Sequence, residues 1–165
     1  MSNRVLVTGS RDWKNLDVLR DALVQARYGS GPMVVVHGAC PSGADAIASW
    51  WVKQYKHLGI TEERHPADWS QGRSAGFARN ADMVKLGAAT CIAAVGLCVK
   101  PRCPHRGLHG SHGATHAAML ADEADIPVVA FVVKPGSGEM VRLRTANGKP
   151  RLKAQLDELY GRVTA

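Results

Sequence analysis

Between residues 97 and 112 the chain carries Cys98, Cys103, His105, His109 and His112, with His116 just beyond. Two thiols separated by four residues and followed by imidazoles offer the ligand types and spacing of a tetrahedral zinc site. A long loop with neither helical nor strand periodicity also needs a staple before it can order. The expectation is a structural zinc on Cys98, Cys103 and His109, with His112 as fourth ligand and His105 as its alternative. No Cys-x-x-Cys pair supports the pattern, so reduced thiols among surface imidazoles are the competing reading. If zinc takes four protein ligands, none of its positions is left open for catalysis.

Two other stretches point to an anion. Thr8, Gly9, Ser10, Arg11, Asp12 and Trp13 follow one apolar β-branched run, and His37, Gly38, Ala39, Cys40, Pro41, Ser42, Gly43, Ala44 and Asp45 follow another. Glycine lets a backbone turn tightly and approach a phosphate, and a following helix presents unpaired N–H groups to it. Glycine used for packing alone explains a single such turn; two together, with Ser10, Arg11 and Ser42 inside them, favour phosphate. Asp45 falls in the first turn of a helix, where the dipole favours negative charge, so a helix-stabilising role and a ribose-binding or catalytic role stand side by side. Arg79 carries a rigid donor fork suited to phosphate, against the plainer reading of an exposed helical arginine. Trp13 and Trp69 fall in the same set of loops, where an indole can stack on a base or anchor its loop. Cys40 reads as a small buried loop residue, and Trp51 as a core residue of its helix.

These turns need strands and helices to aim them. Arg4 to Thr8, Met33 to Val36, Thr61 to His65, Ala89 to Val95 and Pro127 to Val133 read as strands, the first two buried and the third weaker. Helical spacing places helices after Asp17, which can cap the first, from Ala44 towards Gly59, from about Phe77 to Leu86, and over Ala114 to Ala124. Gly29, Gly31 and Pro32 stop the first helix. Val141 to Arg144 reads as a short edge strand, Asn147 and Gly148 as a tight turn, and Leu152 to Tyr160 as a terminal helix. Strands alternating with helices predict a Rossmann-like α/β sandwich with a mostly parallel sheet of five or slightly more strands. Ligands of such sheets sit outside the carboxyl ends of the strands. The whole of residues 1–165 is expected as one domain, with 97–112 inserted and 134–165 as an extension.

The run VLVTGSRDW, then HGACPSGADAIASWW, HPADW with GRSAGFARNADMV, and GSHGATHAAMLADEADIPVV resembles the SLOG superfamily, in particular its small YspA-related members, over about residues 4 to 133. The superfamily includes the "lonely guy" phosphoribohydrolases, the DNA-processing protein DprA and sensor domains for nucleotide-derived signals. The resemblance implies nucleotide or nucleotide-sugar recognition, with Gly9, Ser10, Arg11, Gly38, Ser42, Gly43, Arg79 and Asn80 beside the ligand and a homodimer as the default assembly. In the phosphoribohydrolases a motif PGGxGTxxE holds phosphate and supplies an acid. Here the stretch is Gly110, Ser111, His112, Gly113, Ala114, Thr115, His116, Ala117. Ser111 and Gly113 keep the phosphate turn, while the glutamate is absent and only His116 or Asp45 can replace its carboxyl. A sensor or binding protein for a nucleotide-derived small molecule is therefore preferred to an N-glycosidase, and both to a DprA-like nucleic-acid binder; no redox cofactor is expected.

The bulk properties agree. Twenty-one Lys and Arg against fourteen Asp and Glu leave a net charge of +7 over 165 residues, which attracts anions at long range. The basic residues are spread out, densest over Arg142 to Arg151, and do not outline a polynucleotide groove. The longest apolar run, Ile126 to Val133, falls far short of the ~20 residues of a membrane span. Met1 to Arg4 leads straight into Val5, too short an apolar stretch for a signal peptide, so a cytoplasmic location and reduced cysteines are expected.

Overall fold

The computed structural model describes residues 3–27, 31–146 and 149–161. Six strands form one sheet: β1 (Asn3–Gly9), β2 (Met33–His37), β3 (Ile60–Arg64), β4 (Thr90–Val95), β5 (Val128–Val133) and β6 (Met140–Arg144). Their spatial order is β3-β2-β1-β4-β5-β6. All neighbours run parallel except β6, which pairs antiparallel with β5. This is the doubly wound order of Rossmann-like folds, and its direction reverses between β1 and β4, where the crevice for a ligand opens.

Side-chain alternation divides the core. Val5, Val7, Val35, Ile92 and Ala94 face helices α1 (Leu16–Arg27) and α2 (Gly43–Tyr55), packing on Leu19, Leu23, Ala48 and Trp51. Leu6, Val36, Cys91, Ala93, Val95 and Val132 face the other way, onto α4 (His112–Glu123), α5 (Leu152–Leu159) and α3 (Ala75–Lys85). Successive residues of a strand point to opposite faces, so a central strand buried on both sides reads as an unbroken apolar run. On α4 the sheet-facing side chains Ala114, Ala117, Ala118 and Ala121 are almost wholly buried, and their small size lets the helix lie close to β1 and β4. Burial pushes the Cys91 thiol up to about 12, which keeps it protonated and unreactive.

Several boundaries differ from expectation. The first helix is capped by Asn15, whose Oδ1 accepts the Val18 N–H at 3.2 Å, and Asp17 instead pairs with Arg20 at 2.8 Å inside the first turn. The second helix ends at Tyr55, followed by a 3₁₀ turn over Lys56–Leu58 that Gly59 closes with φ +77°. The third helix starts two residues earlier, at Ala75. The expected edge strand is present as β6, and α5 buries Leu152 and Leu156 against the core that carries α4. Gly29, Asn147 and Gly148 lie outside the described residues.

At the outer strands a charged cluster crosses from β1 over β2 to β3. Arg4 donates two hydrogen bonds to Glu63, at 2.5 and 2.9 Å, and His65 lies 2.7 Å from the same carboxylate. The Arg4 fork, followed by His65, holds the Glu63 carboxyl down at about 2. A depressed carboxyl favours the native state above its unfolded value near 4.5, and that contribution is lost as pH falls towards 2. Denaturant titrations should therefore find Glu63→Gln less stable than the parent at pH 7, with the gap closing between pH 4.5 and 2; a gap that does not change with pH would show that the pair contributes through packing alone.

Candidate functional site

Ser10, at the end of β1, is 3% exposed and every polar group it has is engaged. Its N–H donates to the Ala94 carbonyl at 2.9 Å, and its carbonyl accepts from the N–H groups of Trp13 at 3.2 Å and Ala44 at 3.3 Å. Its hydroxyl accepts the Gly96 N–H at 2.8 Å and lies 2.6 Å from Ser111 Oγ. One serine thus joins β1, the end of β4, the start of α2 and the start of α4. Close approach makes this arrangement possible: a Cβ on Gly9 would stand 2.3 Å from that of Ala44, and one on Gly43, where φ is +69°, only 2.1 Å from the Ser10 carbonyl oxygen. Gly43 therefore serves contact between two loops, and neither it nor Ser42 lines the cavity beside them.

The second turn bends back through Ala39, at φ 58°, a conformation that non-glycine residues seldom adopt. Two bonds hold it there: the Ala39 N–H donates to His37 Nδ1 at 3.1 Å, and the Cys40 N–H donates to Asp45 Oδ2 at 3.1 Å. The first bond makes Nδ1 the acceptor, so Nε2 carries the proton that His37 shares with Glu62 at 2.7 Å. Asp45 is 7% exposed. Burial raises its carboxyl above the ordinary value of 3.8, against the opposing pull of the Cys40 N–H, His37, Arg79 and Arg11. Cys40, expected to be buried, is half-exposed at the cavity wall, because the loop turns its backbone rather than its thiol inward.

Arg79 is fixed from α3. Its Nη1 donates to the carbonyls of Gly38 and, at 3.0 Å, His65, and its Nε donates to Asn80 Oδ1 at 3.0 Å. It ties the ends of β2 and β3 together while its edge lines the cavity. Burial, with Arg11 nearby, lowers its pKa from the ordinary arginine value, and Asp45 works the other way. Asn80, 3% exposed, donates to the Gly113 carbonyl at 3.2 Å and lies 3.5 Å from His116 Nδ1. Trp13 is 8% exposed and donates to the Asn15 carbonyl, so it anchors its loop, whereas Trp69 is 54% exposed at the cavity with the Arg11 guanidinium 5.4 Å from its ring centre.

These groups surround a cavity of 580 Å³ outside the ends of β1 and β4. Gly9, Ser10, Arg11, Gly38, Asp45, Arg79, Asn80, Ser111 and Gly113 all line it. So do Arg73, inside the GRSAGFARNADMV stretch, and Lys100, on the Cys and His loop, neither of which was picked out as a site residue. The cations Arg11, Arg73, Arg79 and Lys100 outnumber the carboxylates Asp12 and Asp45 there. His116 is elsewhere: it lines a second cavity of 530 Å³ beside α5, its ring edge-on to Phe77 at 4.7 Å. Asp45 and His116 are therefore not brought to one reaction centre.

The Cys and His loop closes on an antiparallel bridge between Leu97 and Gly110, reinforced by the Cys98 N–H donating to the His109 carbonyl at 2.9 Å. The bridge sets Cys98 beside His109, and α4 begins with His112. Cys103 Sγ lies 3.4 Å from His109 Nε2 and 3.2 Å from His112 Nε2, which are 3.1 Å apart. One ligand atom from each of Cys98, Cys103, His109 and His112 falls within 4.8 Å of all the others, and this Cys2His2 cluster can hold a metal ion. His105 stands outside the set, packed against the rings of His109 and His112 at 5.4 and 5.0 Å.

Asp45 offers a test of its surroundings. A carboxyl raised by burial leaves stability unchanged below its unfolded value and costs stability as pH rises through its folded value. Asn keeps an oxygen for the Cys40 N–H without the charge. Asp45→Asn should thus unfold at higher denaturant than the parent at pH 7 and match it near pH 3.8; lower stability at pH 7 would mean that the charge itself is needed, by the helix dipole or by the arginines.

The profile of the YspA, cpYpsA-related SLOG family matches residues 3–72, which span β1 to β3 and both glycine turns. The Gene 61 protein of Mycobacterium phage D29 is 40% identical over 139 residues, covering 80% of this chain and 98% of its own length. With the doubly wound sheet and the turns of Gly9 and Gly43 in place, the chain belongs to the YspA-related SLOG family.

Proposed function

We propose that the chain binds a nucleotide or nucleotide-derived phosphate at the strand ends, as a sensor or binding protein. One observation carries this reading: four cationic side chains converge on a single cavity at the sheet's switch point, with an exposed indole at its edge. The 580 Å³ volume falls within the range of about 300–1,000 Å³ of small-molecule pockets. Phosphate suits the guanidinium forks of Arg11 and Arg73 and the start of α4 at Ser111 and Gly113, while a base suits the face of Trp69. Ser10 acts indirectly, since its hydroxyl is already shared with Gly96 and Ser111.

Calorimetric titration with nucleoside 5′-monophosphates, diphosphates and nucleotide sugars tests the proposal. A binder is expected, and Trp69→Ala should weaken it by about 1–3 kcal/mol. Equal affinity of the variant would remove the base from the indole, and failure of every compound to bind would reject the nucleotide reading.

Asp45 supports a second reading, an N-glycosidase acting on the same ligands. Its buried carboxyl, raised by desolvation, lines the cavity and can donate a proton to a departing base. Release of free base by the parent and its loss in Asp45→Asn would establish turnover; binding without release leaves the sensor.

For the Cys2His2 cluster we propose zinc, because two thiolates and two imidazoles suit its tetrahedral preference and balance its charge. Protein purified without a histidine tag should carry about one equivalent and lose thermal stability on chelation; less than about a tenth of an equivalent would exclude the site as a resident zinc centre.

A further inference from the structure

The metal cluster and the ligand cavity share a wall. Cys98 and His112, two of the four clustered ligands, also line the cavity, and so do Val99, Lys100 and Pro101, three of the four residues between the two cysteines. Cys103 and His109 complete the cluster from outside the cavity. The segment that forms this wall has little of its own to hold it. Among the described residues, no backbone–backbone hydrogen bond involves residues 99–107, and Val99 is 74% exposed. At both ends, by contrast, it is anchored to the ligand turns: Gly96 donates to Ser10, and Ser111, adjacent to His112, shares a hydrogen bond with Ser10.

We infer that the metal centre assembles one wall of the nucleotide cavity, delivering Lys100 to the phosphate, so that metal and nucleotide binding are coupled. An ion bound by Cys98 and Cys103 clamps both ends of the segment that carries Lys100, and its bond to His112 fixes that segment against the start of α4. The ligand then meets a preordered cation rather than ordering a free loop as it binds, which lowers the entropy cost of binding. Two thiolates cancel the charge of a divalent ion, so the coupling acts through position and not through added positive charge. It is necessarily reciprocal: the factor by which metal raises nucleotide affinity is the factor by which nucleotide raises metal affinity.

The inference rests on the nucleotide reading of the cavity, and the experiment separates the two. The tightest-binding nucleotide of the calorimetric panel is titrated into zinc-loaded protein, into protein stripped with a chelator, into stripped protein reloaded with zinc, and into Cys103→Ser and Lys100→Ala. Cys103 is the informative ligand because it does not line the cavity. Circular dichroism and gel filtration establish that each form is folded; if Cys103→Ser is not, the stripped and reloaded parent decides. Affinity is expected to fall between about 5- and 150-fold on stripping, the usual span of coupled sites, and to return on reloading. Cys103→Ser should match the stripped protein, and Lys100→Ala should bind nucleotide more weakly while retaining its zinc. Competition with a chromophoric chelator should show zinc held more tightly, by the same factor, when nucleotide is present. Equal nucleotide affinity with and without zinc would overturn the coupling and leave the cavity assignment standing. Failure of zinc-loaded protein to bind any nucleotide would overturn the cavity assignment and the coupling with it.

Discussion

The interaction on which the site depends is the set of hydrogen bonds made by Ser10. Four segments distant in sequence end at this one residue: β1, the exit of β4, the start of α2 and the start of α4. Buried polar groups are expensive unless paired, and here each pairing is also a fixed distance between two elements. The glycines beside it are the steric side of the same constraint, since a side chain at Gly9 or Gly43 would force α2 away from β1. The crevice between β1 and β4 keeps its shape because these bonds hold its rim.

Around that rim, charged groups divide between holding the turns and lining the cavity. Arg79 binds two strand-end carbonyls, and Asp45 binds the N–H of Cys40, so both shape the second turn before any ligand arrives. Arg11, Arg73 and Lys100 are exposed and line the cavity. Preorganised turns at a rim lower the ordering cost of whatever such a crevice binds. The Cys and His loop sets its Cys2His2 cluster beside the segment whose Lys100 lines the cavity.

Much of this was legible in the residues. Alternating apolar strands and amphipathic helices predict the parallel sheet, and its ligand end follows from the handedness of the crossovers. Cys98, Cys103 and His109 were readable as a group able to hold a metal because their order and spacing let one short loop bring them together, while the choice of His112 over His105 as the fourth member came from the fold. The edge strand and terminal helix were also visible from apolar residues near the end of the chain. Helix starts were less so: Asn15 and Asp17 are both good caps, and only the backbone path shows which side chain reaches an N–H.

Local sequence therefore determined the fold class, the glycine turns and most of the Cys2His2 cluster, because these depend on periodicity, backbone freedom and short-range spacing. Tertiary structure decided which turn residues face the cavity. Ser42 and Gly43 share the glycine turn with Gly38, yet the packing of that turn on Ser10 leaves them outside the cavity. His116 falls beside the position of the missing glutamate, but its side of α4 opens onto the second cavity. Arg73 and Lys100 reach the first cavity from loops 27 residues apart, a juxtaposition that no local pattern encodes. Spacing along a chain fixes neighbours only within one element or one short loop; across elements, packing and the pairing of buried polar groups choose them.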